Sequence, residues 1–321
     1  MFKKKIFIVI VALALMLTAC SKGNTPSGTF VGGHEGIVAK FTPGMPPAEV
    51  FDNSQMTFAI QTALENKGES DIPAGALFVE IKGISPTSFG KNSQADFKKT
   101  NPSIIKGTKK NFAGDIINGD TAWITFDNLK YVIDLPGNQG FSIVADICYL
   151  YETRATAKIC VNRDIIKNSD KEKICTLSGE KEVQNSGAPI AITSVKEDPI
   201  GGGKVQLNIV ISHVGPGDGF FKKTEQTCDM AVDNQNKYKV YVEVTPNIRG
   251  VTAHCNNLDE GSVNSGYITL IDGQPRTLTC ILDLNPVGDS VFEELVNFKL
   301  SYRYLQHITT PLEVKDVSGS S

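Results

Sequence analysis

The chain is poor in the residues that catalysis and metal binding lean on. Four histidines (His34, His213, His254 and His307) and one tryptophan, Trp123, are spread over 321 residues. There is no Gly-x-Ser-x-Gly elbow to raise a nucleophilic serine, and no cysteine pair has the C-x-x-C spacing of a zinc ribbon or redox dithiol. Gly201-Gly202-Gly203-Lys204 is glycine-rich but precedes a strand, so it reads as a turn and not as a phosphate loop. Asp218, in Gly215-Pro216-Gly217-Asp218-Gly219, lacks the spaced acidic ligands of an EF-hand and reads as a tight turn. Basic excess is also missing. Lys plus Arg total 32 against 35 Asp plus Glu, a net charge of −3, which argues against a nucleic-acid partner. The basic stretches Lys98-Lys99 and Lys106 to Lys110 are short and broken by glycine and threonine, as in solvated loops. These absences leave no catalytic residue, no metal site and no cofactor to assign.

Long apolar runs are absent except at the start. Lys3, Lys4 and Lys5 precede the twelve residues Ile6 to Leu17, too short for a comfortable membrane span and the right length for a signal peptide. Leu17-Thr18-Ala19-Cys20 follows and resembles the lipobox of prokaryotic lipoproteins. The resemblance implies that residues 1–19 are a removed leader. It also implies that Cys20 is acylated and holds the protein to a cell membrane on its extracytoplasmic face. Ser21, by the same analogy, fits an outer membrane where the cell has one. Residues 20–36 are Ser, Lys, Gly, Asn, Thr and Pro with little apolar content, which predicts a flexible tether. Residues 317–321 are predicted to be a disordered tail. Without Cys20, six cysteines remain: Cys148, Cys160, Cys175, Cys228, Cys255 and Cys280. An even count in an exported chain predicts three disulfides.

The rest of the chain shows period-two alternation and almost no helical period. Met56, Phe58 and Ile60 alternate with polar or small residues, as do Val205, Leu207, Ile209 and Ile211, which marks strands with one buried face. Glycine and proline recur between them, as an all-β protein requires. The pattern also repeats. Met56 to Leu64 answers to Val205 to His213, and Phe78-Val79-Glu80-Ile81 to Tyr241-Val242-Glu243-Val244. Trp123-Ile124-Thr125-Phe126 answers to Tyr267-Ile268-Thr269-Leu270, and Tyr149-Leu150-Tyr151 to Tyr302-Arg303-Tyr304. Two all-β units are therefore expected, over 37–185 and 186–316, with the boundary in Ser178 to Gly187.

The opening of the first unit is more specific. Pro46-Pro47, Glu49-Val50, an alternating strand and Glu65-Asn66-Lys67-Gly68 resemble the start of a prokaryotic immunoglobulin-like domain. They are similar in particular to the cell-adhesion-related domains of surface proteins, where an asparagine-x-glycine turn follows the second strand. The resemblance implies two tandem immunoglobulin-like β-sandwiches and a surface role, and it carries over no catalytic residues.

A hairpin centred on Arg154 would place Cys148 against Cys160, with Cys160–Cys175 nearly as good a closure. Cys255 and Cys280 flank the Tyr267 strand and make the best second pair, closing a loop worth about 3 to 4 kcal/mol. Cys228 is left for Cys175 or Cys148, and either bond would brace the two units. Tyr149 and Tyr151 point to one face of a strand, as do Tyr302 and Tyr304. They read as core residues first and as an aromatic ligand platform second. Trp123 is expected in a sandwich core. Three functions are carried forward, in order. The first is a lipid-anchored, non-enzymatic binding, adhesion or spacer module with a protein or glycan partner. The second is an accessory subunit of an envelope transport or secretion complex. The third is an envelope hydrolase dependent on His213 or His254.

Overall fold

A computed structural model describes residues 28–164, 174–231 and 235–317. The leader, Cys20 and residues 318–321 lie outside them. Strands hold 54% of the chain and helical turns 4%, so the all-β class holds. In the first half the strands are β1 (Ile37–Phe41), β2 (Glu49–Phe51), β3 (Phe58–Asn66), β4 (Leu77–Lys82) and β5 (Lys98–Thr100). A short hairpin, β6 (Lys109–Lys110) and β7 (Ile116–Ile117), leads into β8 (Thr121–Leu129) and β9 (Gln139–Val161). The second half begins with β10 (Gly179–Lys181), β11 (Val183–Asn185), β12 (Ile190–Gly201), β13 (Lys204–His213) and β14 (Gly219–Phe221). It continues with β15 (Lys239–Pro246), β16 (Ala253–Cys255), β17 (Asp259–Ser262), β18 (Ser265–Thr269), β19 (Arg276–Asp283) and β20 (Phe292–Lys315). Alternation makes these strands amphipathic: on β13, Val205, Leu207, Ile209 and Ile211 are buried while the residues between them are more exposed.

Two small sheets, β1-β3-β8 and β10-β12-β13-β19-β16, pack against a ten-stranded sheet whose main path is β17-β18-β15-β20-β9-β4-β5. The two halves use their strands alike. A central strand (β3, β13) is flanked by an earlier and a later one (β1 and β8, β12 and β19), while β4 pairs β9 and β15 pairs β20. Three of the four sequence matches occupy equivalent strands. The third does not: the Trp123 strand β8 holds the place of β19, while Tyr267 lies on β18.

The expected hairpin at Arg154 does not form. No glycine or proline interrupts Phe141 to Val161, and β9 runs through as one 23-residue strand. It pairs antiparallel with β20 along its whole length, from Val161↔Phe292 to Gln139↔Val314. The sheet therefore crosses the expected boundary, and one hydrophobic cluster includes core residues of both halves. Beyond the boundary, Glu197 of β12 accepts the Cys160 N–H of β9 at 3.0 Å and the ammonium of Lys181 at 2.7 Å. Burial pushes the Glu197 carboxyl up, opposed by the Cys160 amide and Lys181.

The four tyrosines sit inside this junction, so they form no exposed platform. Tyr149 lies opposite Tyr304 and Tyr151 opposite Tyr302, around the central Leu150↔Arg303 pair, and all four rings are buried. Their hydrogen bonds repeat across that centre. The Tyr149 hydroxyl accepts the Ile37 N–H at 3.1 Å and the Tyr302 hydroxyl the Ile190 N–H at 3.3 Å, at the first residues of β1 and β12. The Tyr151 hydroxyl donates to Asn66 Oδ1 at 2.9 Å, and the Tyr304 hydroxyl meets His213 Nε2 at 2.8 Å, at the last residues of β3 and β13. Burial raises all four phenols, so they stay neutral donors and acceptors.

The disulfides are Cys148–Cys228, Cys160–Cys175 and Cys255–Cys280. The Cys148–Cys160 pairing fails because twelve residues of continuous strand hold those positions about 40 Å apart. Cys148–Cys228 joins the halves, and Cys255 faces Cys280 across β16 and β19. Trp123, expected in the core, is 58% exposed on the outer face of the first small sheet. Ile124 and Phe126 take the inward positions of β8, so Trp123, on the odd positions with Thr121 and Thr125, points out.

Loop entropy orders the disulfides. Cys148–Cys228 closes 80 residues and Cys160–Cys175 closes 15, so removing the first pair should cost about 4 kcal/mol and the second about 3. Urea unfolding of the two double alanine variants would check this. A larger loss for the 160–175 pair would reverse the order.

Candidate binding face

Since Tyr149 and Tyr151 point into the core, the alternation of β9 turns Leu150, Glu152 and Arg154 to the opposite face. Across the ladder, Ser301 of β20 lies opposite Glu152 and Lys299 opposite Arg154. Glu152 is clamped by two cations, Arg154 Nε on Oε1 at 2.8 Å and Lys299 Nζ on Oε2 at 3.3 Å. Beside them, Asp71 accepts the Gly107 N–H at 2.8 Å and pairs with Lys109 at 3.0 Å. Burial alone would raise the Asp71 carboxyl, but the Gly107 amide and Lys109 outweigh it and hold the group below its ordinary value.

Depressions of about 420, 240 and 200 Å³ adjoin along this face. Phe30 and Arg154 line the first two, and Asp71 and Glu152 the first and third. Glu243, Asn297 and Lys299 extend the second toward the far half. Exposed ion pairs contribute under about 1 kcal/mol each to stability. The arrangement therefore does little for folding. What it supplies is a groove of fixed charges of both signs with one aromatic ring, drawn from both halves.

Residues 28–36, expected as part of a flexible tether, are tied down along the groove. Glu69 accepts the N–H groups of Val31 (3.0 Å), Gly32 (2.9 Å) and Gly187 (2.6 Å). Thr29 N–H donates to Gln184 at 3.2 Å, and Lys110 Nζ to the Gly28 carbonyl at 2.9 Å. The polar composition of the segment carried no sign of this, because the anchoring carboxylate lies 37 residues away.

The histidines are not gathered into a catalytic group. His254 is exposed on β16, His34 is exposed before β1, and His307 pairs with Asp218 at 2.8 Å. His213 is committed to Tyr304. The Tyr304 hydroxyl accepts the Gly217 N–H at 2.7 Å and has a proton of its own to give to Nε2 of a neutral imidazole. Burial lowers the His213 pKa in the same sense. Among the described residues no three His, Cys, Asp or Glu side chains converge as metal ligands would. Gly201, Gly202 and Gly203 all have positive φ in the turn between β12 and β13, as read from the sequence. No protein-family model matches the chain, and no curated protein matches it.

Because the folded pKa of His213 lies below the unfolded one, the unfolded chain takes up the proton first. Stability from this group is present above the ordinary histidine value of about 6.5 and is lost as pH falls through the folded value. His213→Asn, which copies Asn66 at the equivalent position, should flatten that acid slope in denaturation curves taken from pH 7.5 to 5. An unchanged slope would assign it to other groups. Glu69→Ala should speed exchange of the Val31 and Gly32 amides about tenfold or more, since charge-assisted bonds contribute about 1.5–3 kcal/mol. Hydrogen exchange reads this directly, and unchanged rates would mean that other contacts hold the segment.

Proposed function

We propose that the chain is an exported, lipid-anchored surface protein that acts as a non-catalytic binding module for a protein or glycan. The charged groove over β9 and β20 is its binding face. The observation that carries this reading is the groove itself: Phe30, Asp71, Glu152, Arg154 and Lys299, from strands and segments of both halves, set on a long paired ladder. Three disulfides support an oxidising, extracytoplasmic compartment, and the leader and lipobox resemblance support the anchor. Fixed charges of both signs suit a polar partner carrying complementary groups, and an aromatic ring beside them suits the apolar face of a sugar or a side chain.

The test is a photoreactive side chain placed at Asn297 in the groove, with a second at Lys40 on the small sheet, in intact cells. Adducts at Asn297 alone, lost with Arg154→Glu, are the expected result. A single membrane protein captured in fixed ratio would make the chain an accessory subunit. Adducts at neither position would leave a spacer and overturn the binding role.

A further inference from the structure

The β6–β7 hairpin lies beside the place where the described chain begins, and its exposed surface differs from that of the groove. Lys109 pairs with Ile117 and Lys110 with Ile116. Asn111 closes the turn: its side-chain oxygen accepts the Ala113 and Asp115 N–H groups at 2.9 and 2.8 Å, and its own N–H donates to the Asp115 carbonyl at 2.9 Å. The tip held in this way carries Phe112, which is fully exposed, with Ile117 57% and Ile116 46% exposed. Single exposed apolar residues are ordinary, but three within six residues on a short, well-bonded turn are a concentrated apolar surface. Lysines 106, 109 and 110 stand at its base, against one acid, Asp115, in residues 106–117. Asp71 and Asp120 are the neighbouring carboxylates. Asp71 pairs with Lys109, and Asp120 accepts the Lys106 N–H at 3.1 Å.

The position of this hairpin gives it a partner. Lys110 Nζ bonds the carbonyl of Gly28, and Gly28 is eight residues from Cys20, a span of at most about 28 Å even fully extended. We infer that the β6–β7 hairpin is a second membrane contact, its Phe112, Ile116 and Ile117 entering the interface of an anionic bilayer and the exposed Lys106 at its base facing the lipid phosphates. The inference rests on the anchor at Cys20, not on the groove: Lys109 and Lys110 line the near end of the groove, but none of the three apolar tip residues does. An apolar tip flanked by basic residues is the chemistry of interfacial membrane binding, and each lysine near an anionic surface strengthens docking about fivefold. A lipid anchor on one acylated cysteine gains a second attachment in this way, and the body is held in one orientation.

The test uses the lipidated protein purified from membranes and reconstituted in phosphatidylcholine vesicles with or without phosphatidylglycerol. Trp123→Phe removes the single tryptophan. Into that background go Phe112→Trp, or Phe51→Trp as a comparison. Phe51 lies on β2 beside the end of β20 that pairs with the start of β9. Thr156, where the segment near Gly28 meets β9 through Gln184, is seventeen residues along that strand, roughly 55 Å away. Brominated acyl chains should quench the fluorescence of Phe112→Trp and not that of Phe51→Trp. Quenching should rise with phosphatidylglycerol, and Lys106→Gln should lower the docked-to-free ratio about fivefold. Equal quenching at both positions, or none at either while the protein floats with vesicles, overturns the docking and leaves the anchor standing. Protein that does not float with vesicles at all overturns the anchor, and the docking with it.

Discussion

The structure depends on the pairing of β9 with β20. Twenty-three consecutive register positions join the halves more extensively than any other contact, and every other strand of the large sheet except the edge strand β17 is attached to one of these two or to a strand they hold. The small sheets have no such continuity: each belongs to one half and closes over one end of the ladder. Here the neighbour of β9 is the equivalent strand of the other half, so each half completes its partner. The tandem arrangement implied by the sequence resemblance describes the order of strands along the chain, but not the way they are shared.

The tyrosines make that sharing specific. Buried amide groups at the starts of β1 and β12 would each cost about 1–3 kcal/mol if left unpaired, and a different phenol from the ladder satisfies each, Tyr149 the first and Tyr302 the second. The same rings stack edge to face, with Tyr149 on Tyr151 at 5.5 Å and on Tyr304 at 5.7 Å between centroids. Close packing leaves no room nearby. A Cβ at Gly68 would lie 2.1 Å from the Tyr151 hydroxyl and 2.5 Å from the carbonyls of Glu35 and Gly187. The glycine of the asparagine-x-glycine turn is thus set by what crosses over it, in addition to the turn itself. His213 in the second half does the work of Asn66 in the first, with an ionisable group in place of an amide. The two otherwise similar sets of tyrosine contacts at the centre of the ladder thus differ by one titratable partner.

Period-two alternation made the all-β class legible, and it placed Tyr149 and Tyr302 at matching positions before any pairing was known. It also contained the answer for Trp123. Ile124 and Phe126 share a face, so Trp123 belongs to the other, a matter of parity and not of composition. What alternation does not carry is the identity of the neighbouring strand. Glu152 and Arg154 can be seen to share a face from sequence alone, but Lys299, 145 residues from Arg154, joins them only through the ladder. The reading of Arg154 as a turn went wrong in the same way. Nothing between Phe141 and Val161 breaks a strand, and a 23-residue strand is far longer than usual. Glu69 was equally silent, because a carboxylate that accepts three backbone amides looks in sequence like any solvated acid.

The long ladder also limits how the chain can be divided. Separating the halves near residue 178, before β10, would uncover the facing edges of β9 and β20 along their full length, two twisted rows of unpaired N–H and C=O groups with tyrosines on one side. Strand edges of that kind recruit other chains into aggregates. Each half, then, depends on the other to cover its longest strand edge. The two halves are bound to one another by the ladder even though the strand order of one echoes that of the other.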